Sequence, residues 1–394
     1  MRATFLPYWQ PLIGETEIEE IADSLRRGWL TTGPKVKQFE EDFANYIGVK
    51  HAIAVSSCTA ALHVALAALD IGPGDEVIVP TLTFCATANV VAHLGARPVL
   101  VDVDENFHIS LKEAERHLTR RTRAIIPVHY AGQPCDLKEI LEFAGSRGIE
   151  VVEDAAHAVG AEYDGQKIGR HTRAAAFSFC ATNNMTTGEG GMVTTGDDKL
   201  AARIRTLSMH GMSRGAWNRL SDAGFWYYEI HEAGYKYNMT DMQAALGIHQ
   251  LRRLDGIIER CREIARNYSA RFADLPELLL PEERPGRKHI YHLYPVRVNG
   301  ESGRLDRDGF ISELRKARIG TSLHFVPLHR QPYYRSRYGY QNDSFPVAEK
   351  LYSELVSLPL YPKMSDGDVR DVISAVRAII LASRKAGYRY PAAS

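Results

Sequence analysis

The apolar positions of this chain fall into two rhythms. Between residues 52 and 195, short apolar runs alternate with stretches of helical spacing. AIAVS (52–56), EVIVP (76–80), PVLVDVD (98–104), AIIPVHY (124–130), EVVEDA (150–155), AAFSF (175–179) and GMVTT (191–195) read as strands. The Ala- and Leu-rich segment 59–69 and FCATANVVAHLG read as helices between them. A strand that is apolar without alternation is covered on both faces, which requires a mostly parallel sheet with helices on either side. The seven runs therefore predict a mostly parallel seven-stranded sheet in an α/β unit. Ahead of it, ETEIEEIADSLRRG (15–28) has helical spacing. Ile18, Ile21, Ala22 and Leu25 form its apolar face and Gly28 its stop. GWLTTGP (28–34) reads as a loop.

The rhythm changes near LRRLDGIIERCREIARNYSARFADL (251–275), which reads as one long helix with a charged outer face. After it, HIYHLYPVRV (289–298) and GTSLHFVP (320–327) alternate like strands. DRDGFISELRKARIG (306–320) and SDGDVRDVISAVRAIILASRKA (365–386) read as helices, and the tail GYRYPAAS as loose. The expected organisation is a large α/β domain over 1–250 and a smaller α+β C-terminal domain over 251–394.

Composition narrows the function classes. Lys+Arg and Asp+Glu both number 48, so the basic surplus of a nucleic-acid partner is missing. Five scattered cysteines, without a CxxC pair, argue against a disulfide framework or a zinc site and fit a reducing compartment. His324 and His329 lie five apart, a poor spacing for two metal ligands on one helix. No apolar run reaches the length of a membrane span, and MRATFLPYWQP lacks the apolar centre of a signal peptide. The expectation is a cytoplasmic protein that engages no nucleic acid, membrane or metal.

Several segments could carry chemistry, each with a plainer alternative. In VVEDAAHAVG (151–160), Glu153 and Asp154 end an apolar strand, where open parallel sheets place ligands. The same carboxylate could merely cap the next helix. SSCTAALHVAL (56–66) opens a helix with small hydroxyl residues, which suits a phosphate or an ordinary N-cap. TTGEGG (186–191) lets backbone approach a ligand closely, or simply makes a tight turn. GYKYNMTDMQAALG (234–247) is a capped loop or an interface.

In this order the segments resemble one family, the fold type I, pyridoxal-phosphate-dependent sugar aminotransferases of the DegT class. The resemblance runs from GWLTTGPKVKQFE to SLPLYPKM. LTTGP, HAIAVSS, AIIPVHYAG, EDAAHAVG, GYKYN and IGTSLHF are similar to the enzymes that make UDP-4-amino-4-deoxy-L-arabinose. TTGEGG is as similar to the perosamine-type synthases. The resemblance implies pyridoxal or pyridoxamine 5'-phosphate as cofactor and a nucleotide-linked keto sugar as substrate. It also implies an amino donor such as L-glutamate, a homodimer, and a place in deoxyamino-sugar or lipopolysaccharide synthesis. By the same resemblance Asp154 partners the pyridine nitrogen, His157 lies beside the ring and Phe84 stacks on it. Ser57, Cys58, Thr59 and Ser178 form the phosphate end, and Asn238 reaches the neighbouring subunit's phosphate. Thr31, Thr32, Lys236, His324 and His329 line the sugar-nucleotide cleft.

One position departs. The family reads A-T-K-N where this chain reads Ala181-Thr182-Asn183-Asn184. The family's lysine forms the Schiff base and moves the proton. An amide nitrogen, its lone pair delocalised, does neither. The chain is thus expected to be an impaired, intermediate-trapping aminotransferase. Two other readings stay open: a lysine-free dehydratase using the same cofactor, and a non-catalytic binder of cofactor or sugar nucleotide.

Overall fold

The computed structural model describes residues 2–213, 227–299 and 305–384. The tail GYRYPAAS and residues 385–386 of the last expected helix lie outside them. The seven expected strands are β1 (His51–Val55), β2 (Glu76–Pro80), β3 (Arg97–Val101), β4 (Thr122–Ile125), β5 (Glu150–Asp154), β8 (Ala174–Ser178) and β9 (Gly191–Thr195). They form one sheet in the order β1-β9-β8-β5-β4-β2-β3. From β8 to β3 every neighbouring pair is parallel, while β9 runs antiparallel to both β1 and β8. The reversal follows from the connection. The loop 179–190 between β8 and β9 contains no helix, and a parallel partner needs a crossover. Asn183 sits on this return.

One face of the sheet packs on the helix α3 (Cys58–Ala68), whose residues Ala60–Leu66 are all buried. The other face carries an aromatic layer. Phe43 of α2 (Pro34–Ile47) meets Phe177 at 5.2 Å, and Phe39 meets Phe179 at 5.2 Å. Leu328, Tyr334, Phe345, Ala348 and Leu351 join the core on the α3 side, whereas Leu6 packs with the C-terminal apolar residues.

Three expectations are corrected, and one small sheet is added. Residues 251–275 are not one helix: a helix Asp241–Arg252 ends, Arg253 leaves helical geometry at φ −110° and ψ 8°, and a second helix runs Leu254–Phe272. GTSLHFVP is not a strand. Ser322 makes only an isolated bridge to Ser357, and Pro327 lacks the N–H that a ladder needs. The partner of β12 (Tyr294–Val298) is instead β13 (Leu355–Leu358), with β10 (Leu278–Leu279) on its other side. A small sheet of β6 (Glu162–Tyr163), β7 (Gln166–Lys167) and β11 (Arg287–Lys288) was not anticipated. Its hairpin turns at Asp164-Gly165, both at positive φ, the favoured geometry for a two-residue loop. Finally, α1 (Glu15–Arg27) turns a polar side inward. Glu17 is fully buried against Arg253 (2.5 Å) and Gln250 (2.8 Å), while Ile18 and Leu25 are 52% and 55% exposed.

Candidate active site

Asp154 ends β5 and is buried. Its Oδ2 accepts a hydrogen bond from Thr87 Oγ1 at 2.8 Å, and Oδ1 accepts from the Ala156 N–H at 3.2 Å. Thr87 belongs to α4 (Ala86–His93) and shares a 2.8 Å hydrogen bond with Thr83. The Asp154 backbone is held on both sides, its N–H donating to Pro127 O and its carbonyl accepting from His129 N. Burial pushes the Asp154 carboxyl up, and the bonds from Thr87 and Ala156 oppose that rise. Burial and then the Asp154 charge raise the Cys58 thiol in turn, and α3 packs against β5, the strand that Asp154 ends.

That first turn is open. Ser57 is the N-cap, its Oγ accepting from Ala60 N at 3.1 Å. Among the described residues, no acceptor meets the N–H of Cys58 or Thr59. Gly191 lets the turn approach β9, since a Cβ there would fall 2.4 Å from Ser57 C and O. Gly191 pairs with Val55 on one side and Ser178 on the other. Ser178 is thereby brought to Ser57, and its Oγ accepts from Cys180 N at 3.2 Å. Asn238 reaches the same corner through a bridge to Val55. Its Nδ2 donates to Thr32 Oγ1 at 2.8 Å, and that hydroxyl donates to Met239 O at 2.7 Å. Thr31 accepts the Asp241 N–H through its carbonyl. Lys236 Nζ lies 3.7 Å from Met209 Sδ.

An aromatic and imidazole group links Phe84 to His292. Phe84 is 56% exposed, with its ring centroid 5.7 Å from that of Phe325. Phe325 stacks on His157 at 5.9 Å, and His157 on His292 at 4.2 Å. Among the described residues, none partners the buried Nδ1 of His157. Burial, then the His324 ring, lowers the His157 pKa to about 3. Burial also lowers His324 to about 4. His324 Nδ1 meets Ser357 Oγ at 2.9 Å, and its carbonyl accepts the Tyr130 hydroxyl.

Asn183 lies in the loop facing Asp154's strand end. Its Nδ2 donates to Ser178 O at 2.9 Å and to Ala156 O at 3.3 Å. Asn184 accepts from His292 Nδ1 at 3.2 Å and meets Cys261 Sγ at 3.6 Å, tying this loop to the later segments.

His329 is the exception among the expected residues. It has no accessible surface, and both ring nitrogens are engaged, Nδ1 with Thr81 Oγ1 at 2.7 Å and Nε2 with Glu349 Oε1 at 2.6 Å. It anchors the segment behind His324 and does not line a cleft. Sequence reasoning missed Thr87, Tyr130, His292 and Asn184. The one signal for Thr87 was its helical spacing from Thr83. A separate 590 Å³ cleft, bounded by Phe107, Phe272 and Arg297, touches this region only through Tyr130. Among the described residues no His, Cys, Asp or Glu cluster could hold a metal ion, and no helix is long and apolar enough to cross a membrane.

The arrangement suits a flat, cationic heteroaromatic ring carrying a phosphate. A buried carboxylate with a raised pKa gains from a protonated ring nitrogen, an exposed phenyl and an unpartnered imidazole offer faces and an edge, and an open helix N-terminus takes an anion.

The comparisons with known proteins agree with this geometry. The sequence profile of the DegT/DnrJ/EryC1/StrS aminotransferase family matches residues 11–377. The chain is 52% identical over 381 residues to the spore coat polysaccharide biosynthesis protein SpsC of Bacillus subtilis, covering 96% of this chain and 98% of that protein. Among solved structures it is similar to the PMP-form of Spr1654 from Streptococcus pneumoniae, named as a sugar aminotransferase. There the TM-score is 0.90 and the identity 33%, over 96% of this chain and 100% of the other. It is also similar to Helicobacter pylori PseC, an aminotransferase of pseudoaminic acid biosynthesis, with TM-score 0.89 and 26% identity over 96% of this chain and 100% of the other. The chain belongs to the DegT/DnrJ/EryC1/StrS aminotransferase family.

Proposed function

We propose that the chain binds pyridoxal or pyridoxamine 5'-phosphate without a covalent bond, on the scaffold of a nucleotide-sugar aminotransferase. The scaffold's reaction moves an amino group from an amino donor, L-glutamate in this reading, to the keto group of a nucleotide-linked deoxy sugar. The supporting observation is the buried, elevated Asp154 carboxyl set beside the open first turn of α3. When bound, the cofactor supplies an electron sink for the carbon whose amino group is exchanged.

The chain's own residues set up that chemistry. Asp154, oriented by Thr87, holds a proton on the ring nitrogen. Phe84 covers the ring and His157 flanks it. Ser57, Cys58, Thr59 and Ser178 hold the phosphate, and Asn238 adds to the phosphate site of a second copy in a homodimer. Thr31, Thr32, Lys236 and His324 contact the sugar nucleotide. His329 positions the His324 segment through Thr81 and Glu349. Asn183 can neither attach the cofactor nor carry a proton, so the chain binds cofactor and sugar nucleotide and turns over slowly. The division into a cofactor-binding unit, 1–250, and a smaller unit, 251–394, and a cytoplasmic site of action belong to the same proposal.

The test is a titration of the full chain with both cofactor forms, followed by addition of an aminated sugar nucleotide while keto product is monitored. Saturable cofactor binding, competition by nucleotide sugars and negligible turnover are expected. Binding of neither cofactor form, or competition by simple keto acids alone, sinks the proposal.

A further inference from the structure

The side-chain amide of Asn183 has a determined orientation. Two backbone carbonyl oxygens, Ser178 O at 2.9 Å and Ala156 O at 3.3 Å, meet its nitrogen end. An amide oxygen in that place would face two acceptors and no donor, so the nitrogen must be there. Both amide hydrogens are committed. Oδ1 is the free end: no described group donates to it, and it is not among the sealed atoms that lack a partner. It therefore keeps some accessible surface, in the loop that meets the strand end of Asp154 through Ala156 O.

The chemistry offered at this position is the inverse of a lysine's. An ammonium presents three donors and no acceptor, whereas the Asn183 oxygen presents acceptor lone pairs only. Its complement is an N–H donor. The two forms of the cofactor differ at this point, since one carries an amine on the exocyclic carbon and the other an aldehyde oxygen. An amine meets Oδ1 as a hydrogen-bond donor. An aldehyde sets oxygen against oxygen and leaves the amide acceptor unmatched.

We infer that Asn183, held by Ser178 O and Ala156 O, selects the amine form of the cofactor over the aldehyde form. The inference rests on the cofactor reading proposed above and goes beyond it. The loop residue is a ligand-selecting acceptor, set in place by two strand ends, and more than the trace of a missing lysine. Asp154, Ser57 and Ser178 treat both forms alike, since nitrogen and phosphate are common to them, so discrimination falls to position 183. A hydrogen bond to a charged or neutral donor, set against an unmatched acceptor, corresponds to about 10-fold to 100-fold in affinity.

The experiment is a pair of equilibrium titrations of the full chain, one with pyridoxamine 5'-phosphate and one with pyridoxal 5'-phosphate, read by protein fluorescence. Borohydride is added afterwards to reveal any lysine adduct of the aldehyde. The same pair is run on Asn183→Ala and Asn183→Asp, with thermal unfolding as a check on folding. The expected result is a 10-fold to 100-fold preference for the amine form in the parent, a ratio near one in Asn183→Ala, and a reduced preference in Asn183→Asp, whose carboxylate cannot donate to Ser178 O and Ala156 O and so is not held in place. Equal affinities in the parent, or an unchanged ratio in a folded Asn183→Ala, overturn this inference alone. Binding of neither form overturns the proposed function and this inference with it.

Discussion

His129 and Glu153 form a hydrogen-bonded pair with no accessible surface, Nε2 to Oε2 at 2.8 Å, directly behind Asp154. His129 Nδ1 accepts the Cys135 N–H at 3.0 Å, which puts the ring proton on Nε2 and makes Glu153 its acceptor. The other Glu153 oxygen accepts from Thr172 Oγ1 at 2.7 Å. Because the His129 backbone N–H also holds the Asp154 carbonyl, the pair fixes the strand end that presents the candidate cofactor's partner.

Glu153→Ala leaves the buried His129 ring N–H without an acceptor, while the Thr172 hydroxyl keeps Ala174 O at 3.0 Å. The expected loss is about 3 kcal/mol in chemical denaturation. Glu153→Gln, which keeps an acceptor, should lose less than half of that. Equal losses would show that packing, not hydrogen bonding, holds the strand end.

Asp154→Asn should separate stability from binding. Burial raises the Asp154 carboxyl in the folded chain. The folded state then binds the proton more tightly than the unfolded one, so this group's contribution to stability is full at low pH. It declines as pH rises from the ordinary aspartate range towards the elevated folded value. The cofactor-free Asp154→Asn chain should therefore melt above the parent at neutral pH, and the gap should close below roughly pH 4. Its cofactor affinity should fall. A variant that melts lower at neutral pH and binds cofactor unchanged would sink the assignment of Asp154.

Asn183→Lys should gain a cofactor bond that borohydride makes permanent, detected by mass at the introduced lysine. Turnover of an aminated sugar nucleotide should rise by at least about 10²–10⁴-fold, the usual worth of a positioned acid–base group. Comparable turnover in the parent would falsify the claim that this position limits the chemistry.

Asp241→Ala should loosen the loop that carries Thr31 and Thr32. Asp241 accepts from Gly33 N at 2.7 Å, Val36 N at 3.0 Å and Lys35 N at 3.2 Å, capping α2 from a distant helix. Loss of a cap with three donors should destabilise by about 2 kcal/mol. Sugar-nucleotide affinity should weaken while cofactor affinity holds, which paired titrations would show.

Sedimentation should find a dimer at micromolar concentration. Ile18 and Leu25 stand exposed on a helix whose polar side is buried in its own chain, an arrangement that a second copy would explain. A monomer with full cofactor affinity would rule out the composite site drawn through Asn238.

The seven strands were legible because each is a continuous apolar run, and such a run has one economical environment, a sheet covered on both faces. Asp154 at a strand end, the small residues opening α3 and the departure at Asn183 are equally local facts of the chain. Periodicity reports that a face is apolar, not what will cover it. The chain therefore could not show that α1 buries Glu17 against Arg253 and leaves Leu25 outside. Nor could spacing reveal Thr87 on Asp154, 67 residues away, or His292 on Asn184, 108 residues away. His329 looked like a cleft residue until Thr81 and Glu349 closed on both of its nitrogens. The sequence alone determined that position 183 carries an amide. Only the packing of two strand ends, with Ser178 O and Ala156 O converging on one nitrogen, decided which end of that amide is bound and which is left free.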